Sequence, residues 1–354
     1  MARRMRTSGP LDLRSQAILR AVIEEYVATA APVASAALVA RYRLGVSSAT
    51  VRAILADLEA AGLLTHPHTS AGRVPTESGY RYYVESIVDS VPLQPVEQLM
   101  IRHQFGQVEY ASEHWFRLAA TTLASLTREA GLATPAKPTS AHLRHLDLVS
   151  ISERTASLIL VMREGALRQV VCGLDEAVDQ EGLSVIAALL NDLLTGKSAA
   201  DAEAALAKLP VDNPAMSVPR KIGERAVRAL REFDATATEA LFSDGLLNVM
   251  AAPEFAQSEK LRRVFEALED RAYLARLIGG VAGSSGSIRV YIGSENPAEE
   301  MADVSLVLAP YGQPGRAVGL VGVLGPTRMA YPQAIGTVRF VSGLMNELVD
   351  HLYA

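Results

Sequence analysis

The stretch from Pro32 to Tyr83, PVASAALVARYRLGVSSATVRAILADLEAAGLLTHPHTSAGRVPTESGYRYY, leaves this chain little freedom in how it folds. Ser35 is placed to cap a short helix that runs through Arg43. Leu44-Gly45-Val46 then makes a turn, with glycine where a positive φ is cheap. Ser47 is an N-cap for a second helix, and Gly62 stands where that helix should end. Between them Val51, Ile54, Leu55 and Leu58 recur at i, i+3, i+4 and i+7, which predicts one buried stripe. The opposite face carries Ala49, Ala53 and Ala56 beside Arg52, with Ser48 and Thr50 at its N-terminal end. A slim face with one cation and small hydroxyls suits the major groove of DNA. There Arg reads guanine, Ser and Thr read either base type, and Ala meets a thymine methyl.

Two extended runs follow. Leu63-Leu64-Thr65-His66 reads as a short strand, Pro67 to Gly72 as a loop, and Arg73-Val74-Pro75 as a return strand whose proline fits only at an edge. Thr76 or Glu77 starts a closing helix containing Tyr80, Tyr83, Val84 and Ile87. Helix, turn, helix and wing together predict a winged helix-turn-helix. Its candidate DNA contacts are Ser47, Ser48, Ala49, Thr50, Arg52 and Ala53 on the second helix, and His68, Thr69, Ser70 and Arg73 on the wing. An arginine at a wing tip is placed for a phosphate or a minor groove. Tyr82 and Arg81 are within reach of DNA on the closing helix, although aromatics at helical spacing generally pack.

The strings LRSQAILRAVIEEYVATAAPVAS, LGVSSATVR, ADLEAAGLL, HPHTSAGRVPTESGYRYYV and YGQPGRAVGLVGVLGPTRMAY resemble the heat-inducible transcription repressor family, HrcA. The resemblance runs from Leu11 to about Leu352 and is weakest over roughly 175–275. It implies a dimeric bacterial repressor on an inverted-repeat operator ahead of chaperone genes, with the chaperonin helping to hold the active fold. It also implies a GAF-like sheet domain and an inserted dimerisation domain. The recognition region departs from the family pattern: Ala53 and Ile54 stand where an Asn-Glu pair is usual, and Ala36 where an Arg is usual. Affinity or half-site sequence should differ accordingly.

Charge agrees with a DNA-binding end. The first ninety of 354 residues hold ten Lys/Arg against eight Asp/Glu, a balance of +2. The remaining 24 against 31 give −7, so a mildly basic head precedes an acidic body. Residues 1–10 read as a disordered basic arm carrying Arg3, Arg4 and Arg6, either a phosphate contact or an unselected tail. The single cysteine, Cys172, excludes an internal disulfide and any multi-Cys metal site, and suits a reducing cytoplasm. No apolar run approaches 18 residues and none follows the basic start, so neither a membrane span nor a signal peptide is expected.

Beyond the winged helix (11–90), Val91 to Pro95 reads as a linker and Val96 to about Gly131 as one long helical stretch. LRHLDLVSI, ASLILVMRE and LRQVVCGL read as an antiparallel meander, and SIRVYIG, DVSLVLAPY and AVGLVGVLG as three further strands before a terminal helix from Pro332. These six strands predict one α+β sheet domain over 91–177 and 273–354, interrupted by a mostly helical insert over 178–272. The expected fold is thus α+β and multidomain: winged helix, GAF-like antiparallel sheet, inserted dimerisation domain. A plain helical subdomain is the other reading of the insert.

Catalytic and cofactor motifs do not survive inspection. Thr195-Gly196-Lys197-Ser198 ends like a P-loop, but the first glycine position is Asn191. Gly279 to Gly286 is glycine-rich but precedes a strand, so a flexible loop is expected instead of a dinucleotide site. His66 and His68 lack a third metal ligand, and no nucleophile–base set has context, so neither enzyme activity nor a cofactor is expected. Arg328 in GPTRM either pairs with a carboxylate across an interface or belongs to a stiff turn capped by Thr327. The predicted function is a cytoplasmic repressor acting as a homodimer on double-stranded DNA. The alternative is a regulator that senses a small molecule through its GAF-like domain.

Overall fold

Asp12 caps the first helix as its position suggests: its carboxylate accepts the Ser15 amide at 2.6 Å. In the computed structural model, which describes residues 11–42, 45–67, 72–87, 89–108, 112–138, 141–163, 167–210, 213–236, 241–255, 258–282, 287–313 and 317–353, this helix is α1 (Leu13–Thr29). It buries Ile18, Leu19, Val22 and Ile23, while Tyr26 is half-buried. Helices α2 (Ser35–Arg41) and α3 (Ser48–Ala60) pack on it and on each other. The α2 cap differs from the expectation: Ala34 is the N-cap residue, with no side-chain bond, and the helix ends at Arg41, not Arg43. A two-residue antiparallel ribbon, β1 (Leu64–Thr65) and β2 (Val74–Pro75), precedes α4 (Glu77–Tyr82). A π-helical turn, Tyr83–Ile87, extends α4.

The chain divides into two compact units. The first contains this head together with Leu241–Tyr311 and Gly319–Leu348. Its sheet runs in the order β8 (Phe242–Asp244), β3 (Ala130–Ala133), β11 (Ala317–Pro326), β10 (Val304–Gln313), β9 (Arg289–Ile292). One face carries Leu132, Leu306, Leu308, Leu320 and Leu324 into a core with Val249, Val264, Leu268 and Leu277 of α10 (Leu246–Met250), α11 (Ser258–Glu269) and α12 (Arg271–Ala282). The other face meets α6 (Ser112–Thr127) and α13 (Tyr331–Tyr353): the Tyr331 hydroxyl oxygen lies 2.9 Å from Ser305 Oγ, and Ser342 Oγ donates to Pro310 O at 2.8 Å. Gly131 lies so close beneath α6 that a Cβ would stand 2.0 Å from Ala120 O.

The second unit contains 136–240. A short strand β4 (Lys137–Pro138) pairs with Ala317 and Val318. Strands β5 (Leu143–Ser152), β6 (Thr155–Met162) and β7 (Leu167–Gly173) make an antiparallel meander. One face of the meander is buried against α7 (Gln180–Leu194), α8 (Ala199–Leu206) and α9 (Ser217–Thr236) through Leu146, Leu148, Leu158, Leu160, Leu190 and Leu230. The segment that ends like a P-loop is the turn between α7 and α8. Gly196 takes φ +77°, Ser198 Oγ accepts the Asp201 amide at 3.2 Å, and Asn191 exchanges two 2.8 Å bonds with the Leu146 backbone.

Several boundaries are therefore corrected. The two strand groups form two sheets, not one of six strands, because β5–β7 cover the helices next to them in sequence. The downstream strands pair instead with β3 and β8. The helical stretch expected to run from Val96 to Gly131 divides into α5 (Pro95–Gln107) and α6 and gives way to β3. The stretch 178–272 divides between the units near residue 240. Gly279 and Gly280 belong to α12, and 283–286 lie outside the described residues, as do the basic arm 1–10 and Arg43-Leu44.

Between α6 and β3, burial pushes the Glu129 carboxyl up to about 8 despite the nearby Arg328 guanidinium, with Glu254 adding repulsion. A carboxyl raised in the folded state is fully stabilising only below its unfolded value, near 4.5, and its contribution is lost as pH rises through about 8. Glu129→Gln is expected to leave thermal stability near pH 4.5 little changed. At pH 8.5 it should raise stability by on the order of a few kcal/mol, read as a melting curve that no longer falls between those pH values.

Candidate nucleic-acid interface

The exposed side of α3 is built by its own periodicity. Val51, Leu55 and Leu58 are buried and Ile54 half-buried, so the stripe expected from the sequence faces inward. Ala49, Arg52, Ala53, Ala56 and Ala60 are exposed on the other side. Ser47 is the N-cap: its Oγ accepts the Thr50 amide at 3.2 Å and lies 3.0 Å from the Thr50 hydroxyl. Gly45, at φ +65°, turns the chain into it. Ser48 is half-buried.

The arginines packed around α3 differ from the one on its exposed face. Arg41 pairs with Glu25, Arg20 donates to Ile87 O at 2.5 Å, and Arg73 pairs with Glu59 at 2.7 Å. Arg52 meets only the Ser48 hydroxyl, at 3.4 Å, among the described residues. Its guanidinium stands on an exposed face of methyl groups with its donors available to a base edge.

Glu59, at the end of α3, organises the ribbon. It accepts from Arg73 and from His66 Nδ1, one on each side of the loop. Arg73 and Val33 exchange backbone bonds of 2.8 and 2.9 Å, and Thr76 both caps α4 and donates to Gly62 O at 2.7 Å. Arg73, expected at the tip and free for phosphate, is drawn in against α3 because Glu59 neutralises it. His68, Thr69 and Ser70 lie outside the described residues. Tyr82 and Arg81 are also engaged internally: the Tyr82 hydroxyl accepts the Leu11 amide at 2.9 Å, and Arg81 binds the β9 region. Among the described residues no cluster of His, Cys, Asp or Glu is arranged to hold a metal.

Sequence reasoning missed Glu59 and the residues that hold α4. Glu77 and Arg81 look like an ordinary exposed i, i+4 pair, and nothing local to them marks partners more than two hundred residues away. Arg328 proves to be internal to the first unit: it pairs with Glu254 and donates to Val27 O at 3.1 Å. Thr327 contributes its carbonyl, which accepts from the Tyr331 hydroxyl at 2.8 Å, in place of the expected cap.

A family model described as the HrcA protein C-terminal domain matches residues 113–335. The heat-inducible transcription repressor HrcA of Roseiflexus castenholzii is 43% identical over 342 residues, covering 96% of this chain and 95% of that protein. The chain belongs to the HrcA family. The HrcA of Chloroflexus aurantiacus is 42% identical over 98% of this chain and 96% of its own length. A crystal structure described as a hypothetical protein at 2.2 Å resolution has the same fold: TM-score 0.59, 21% identity, covering 97% of this chain and 100% of the other. The HrcA family model begins after the head, so the head's membership rests on the full-length HrcA relatives.

Arg52→Ala is expected to weaken binding to a specific operator by about 1–3 kcal/mol and binding to random duplex far less, as read by parallel titrations. Equal losses would make Arg52 a phosphate contact. Because Glu59 already pairs with Arg73, Arg73→Ala should cost the head about 1 kcal/mol of stability while changing the salt slope of binding by well under one unit. A full unit lost in a salt titration would return Arg73 to the phosphate backbone.

Proposed function

We propose that this chain is a non-enzymatic cytoplasmic repressor of heat-inducible chaperone genes that binds an inverted-repeat operator as a homodimer. The single observation that carries the reading is the exposed Ala49-Arg52-Ala53-Ala56 face of a capped second helix, in a chain whose relatives are heat-inducible repressors. On this reading α1–α4 and the ribbon form a winged helix. Helix α3 enters the major groove, with Arg52 reading a base and Ala49 and Ala53 in contact with methyl groups. With Ala53 and Ile54 in place of polar residues, base reading rests more heavily on Arg52. The chaperonin is a proposed partner on the strength of the family resemblance alone.

Two heads are needed, because one small module supplies too few contacts for tight specific binding at cellular salt. The heads use their apolar stripes internally, and the meander of the second unit offers a better seam. Its outer face leaves Val149 44%, Ile151 57%, Leu167 64% and Val171 55% exposed. Val149 and Val171 flank Ser157 in register, and Leu167 stands opposite Val161. An apolar sheet face of this kind is what a second copy would cover. This replaces 178–272 as the proposed dimer element.

The alternative of a ligand-responsive regulator keeps one supporting observation. Small-ligand pockets generally enclose about 300–1,000 Å³, and a groove of 720 Å³ in the first unit is lined by Val27, Asn248, Arg328 and Gln333. Native mass spectrometry showing a retained small molecule would favour it.

Leu167→Glu with Val171→Glu is expected to give a folded monomer by sedimentation that keeps weak nonspecific DNA binding and loses binding to inverted repeats ahead of chaperone genes. A variant that still sediments as a dimer removes this face from the seam.

A further inference from the structure

The head is fastened to the sheet of its own unit by a set of polar contacts that no DNA-reading residue requires. On α4, the Glu77 carboxylate accepts the Ser294 amide at 3.1 Å and the Ser294 hydroxyl. One turn later, Arg81 donates through Nε to Glu295 Oε1 at 2.9 Å, through Nη2 to Glu295 Oε2, and to Val290 O at 2.7 Å. Glu295 is itself fixed, since its Oε2 also accepts the Ile292 amide at 3.0 Å. Gly293 sits beneath Glu77 at φ +54°, where a Cβ would lie 2.0 Å from the carboxylate oxygen. Between the two polar contacts the Tyr80 ring packs on Tyr331, centroids 5.8 Å apart.

Two further bonds act nearby, one on the head and one on the segment that follows it. Arg328 donates to Val27 O near the end of α1, and the Val91 amide donates to Pro332 O at 3.0 Å. The segment expected to be a linker is therefore bonded through Val91 to the start of α13. A head held through α4, through the end of α1 and through the segment that follows it has its rotation restricted. A single flexible tether, by contrast, would let α3 sweep through many orientations.

We propose that Glu77 and Arg81, held by Ser294 and Glu295, are positioning residues that set the angle of α3 and so select the spacing of operator half-sites. The proposal rests on the two-headed reading above. Half-site spacing is a geometric property, because two recognition helices must meet the same face of the duplex about one helical turn, or a multiple of it, apart. A head fixed on its own unit accepts a narrower range of spacings than a free one. A released head accepts many, at lower affinity for each, because ordering it costs entropy on binding. The latch residues touch no part of the α3 face, so their loss should leave recognition of one half-site intact.

The test uses the full chain and an inverted repeat selected by the wild-type protein from a random duplex pool. Fluorescence anisotropy compares a single half-site with repeats whose spacer is shortened or lengthened by one to five base pairs. The variants are Glu295→Arg, Arg81→Glu and the two combined. Wild type is expected to show one sharp affinity peak across spacers. Glu295→Arg should lose tenfold or more at the peak, keep half-site affinity within about twofold and flatten the profile, and the combined variant should recover the peak in part. A Glu295→Arg protein that keeps the wild-type peak overturns the proposal, as does one whose half-site affinity falls in parallel, which would make the latch mere support for the head. A flat wild-type profile overturns the two-headed reading itself, and so is distinguishable from failure of the latch alone.

Discussion

The docking of α4 on the β9–Asn296 turn is the constraint on which the rest of the first unit depends. Glu77 and Arg81 are satisfied by Ser294, Glu295 and the Val290 carbonyl, and Tyr80 is buried between them. The two ion-pair partners are each partly exposed, so the charges alone hold weakly. What makes the contact stiff is the combination of bidentate geometry, a glycine that lets the backbone approach, and an aromatic contact at its centre. Burial raises the Tyr80 and Tyr331 hydroxyls above the usual phenol range, so both remain neutral at any physiological pH. The first unit is thus a head and a sheet joined by many small interactions, with an irregular π-helical turn just after α4.

Within the head, charge is consumed unevenly. Glu59 and Glu25 absorb Arg73 and Arg41, while Arg52 remains on an exposed alanine face. That asymmetry follows from helix geometry. Glu59 lies seven residues beyond Arg52, at the end where the ribbon returns, and Arg52 lies on the exposed side of the helix. A mildly basic module can therefore present its cation to a ligand without a strongly basic composition.

What was legible in the sequence is what depends on near neighbours. The caps Asp12, Ser47 and Thr76, the buried stripe of α3 and the turn glycines Gly45 and Gly62 all express local rules, and the structure places them as those rules require. Strand β3 was not legible, because Ala130-Gly131-Leu132-Ala133 has no alternation and directly follows a helix. The assignment of strands to sheets was not legible either. Both groups have the same β-rich pattern, and only the distant partners at 130–133 and 242–244 decide between them. The candidate site divides in the same way: Arg52 and the alanine face followed from period, whereas the engagement of Arg73 depended on Glu59, a carboxylate that looked like any exposed helix residue.

The central claim is that α3 reads base edges in the major groove from two heads at once. Guanine N7 methylation protection on the selected inverted repeat tests this most directly, because N7 lies in the major groove. The expected result is two protected clusters, one in each half-site, separated by one helical turn or a multiple of it on one face of the duplex. Protection of one half-site alone, or tight specific binding with no N7 protection anywhere, would contradict it.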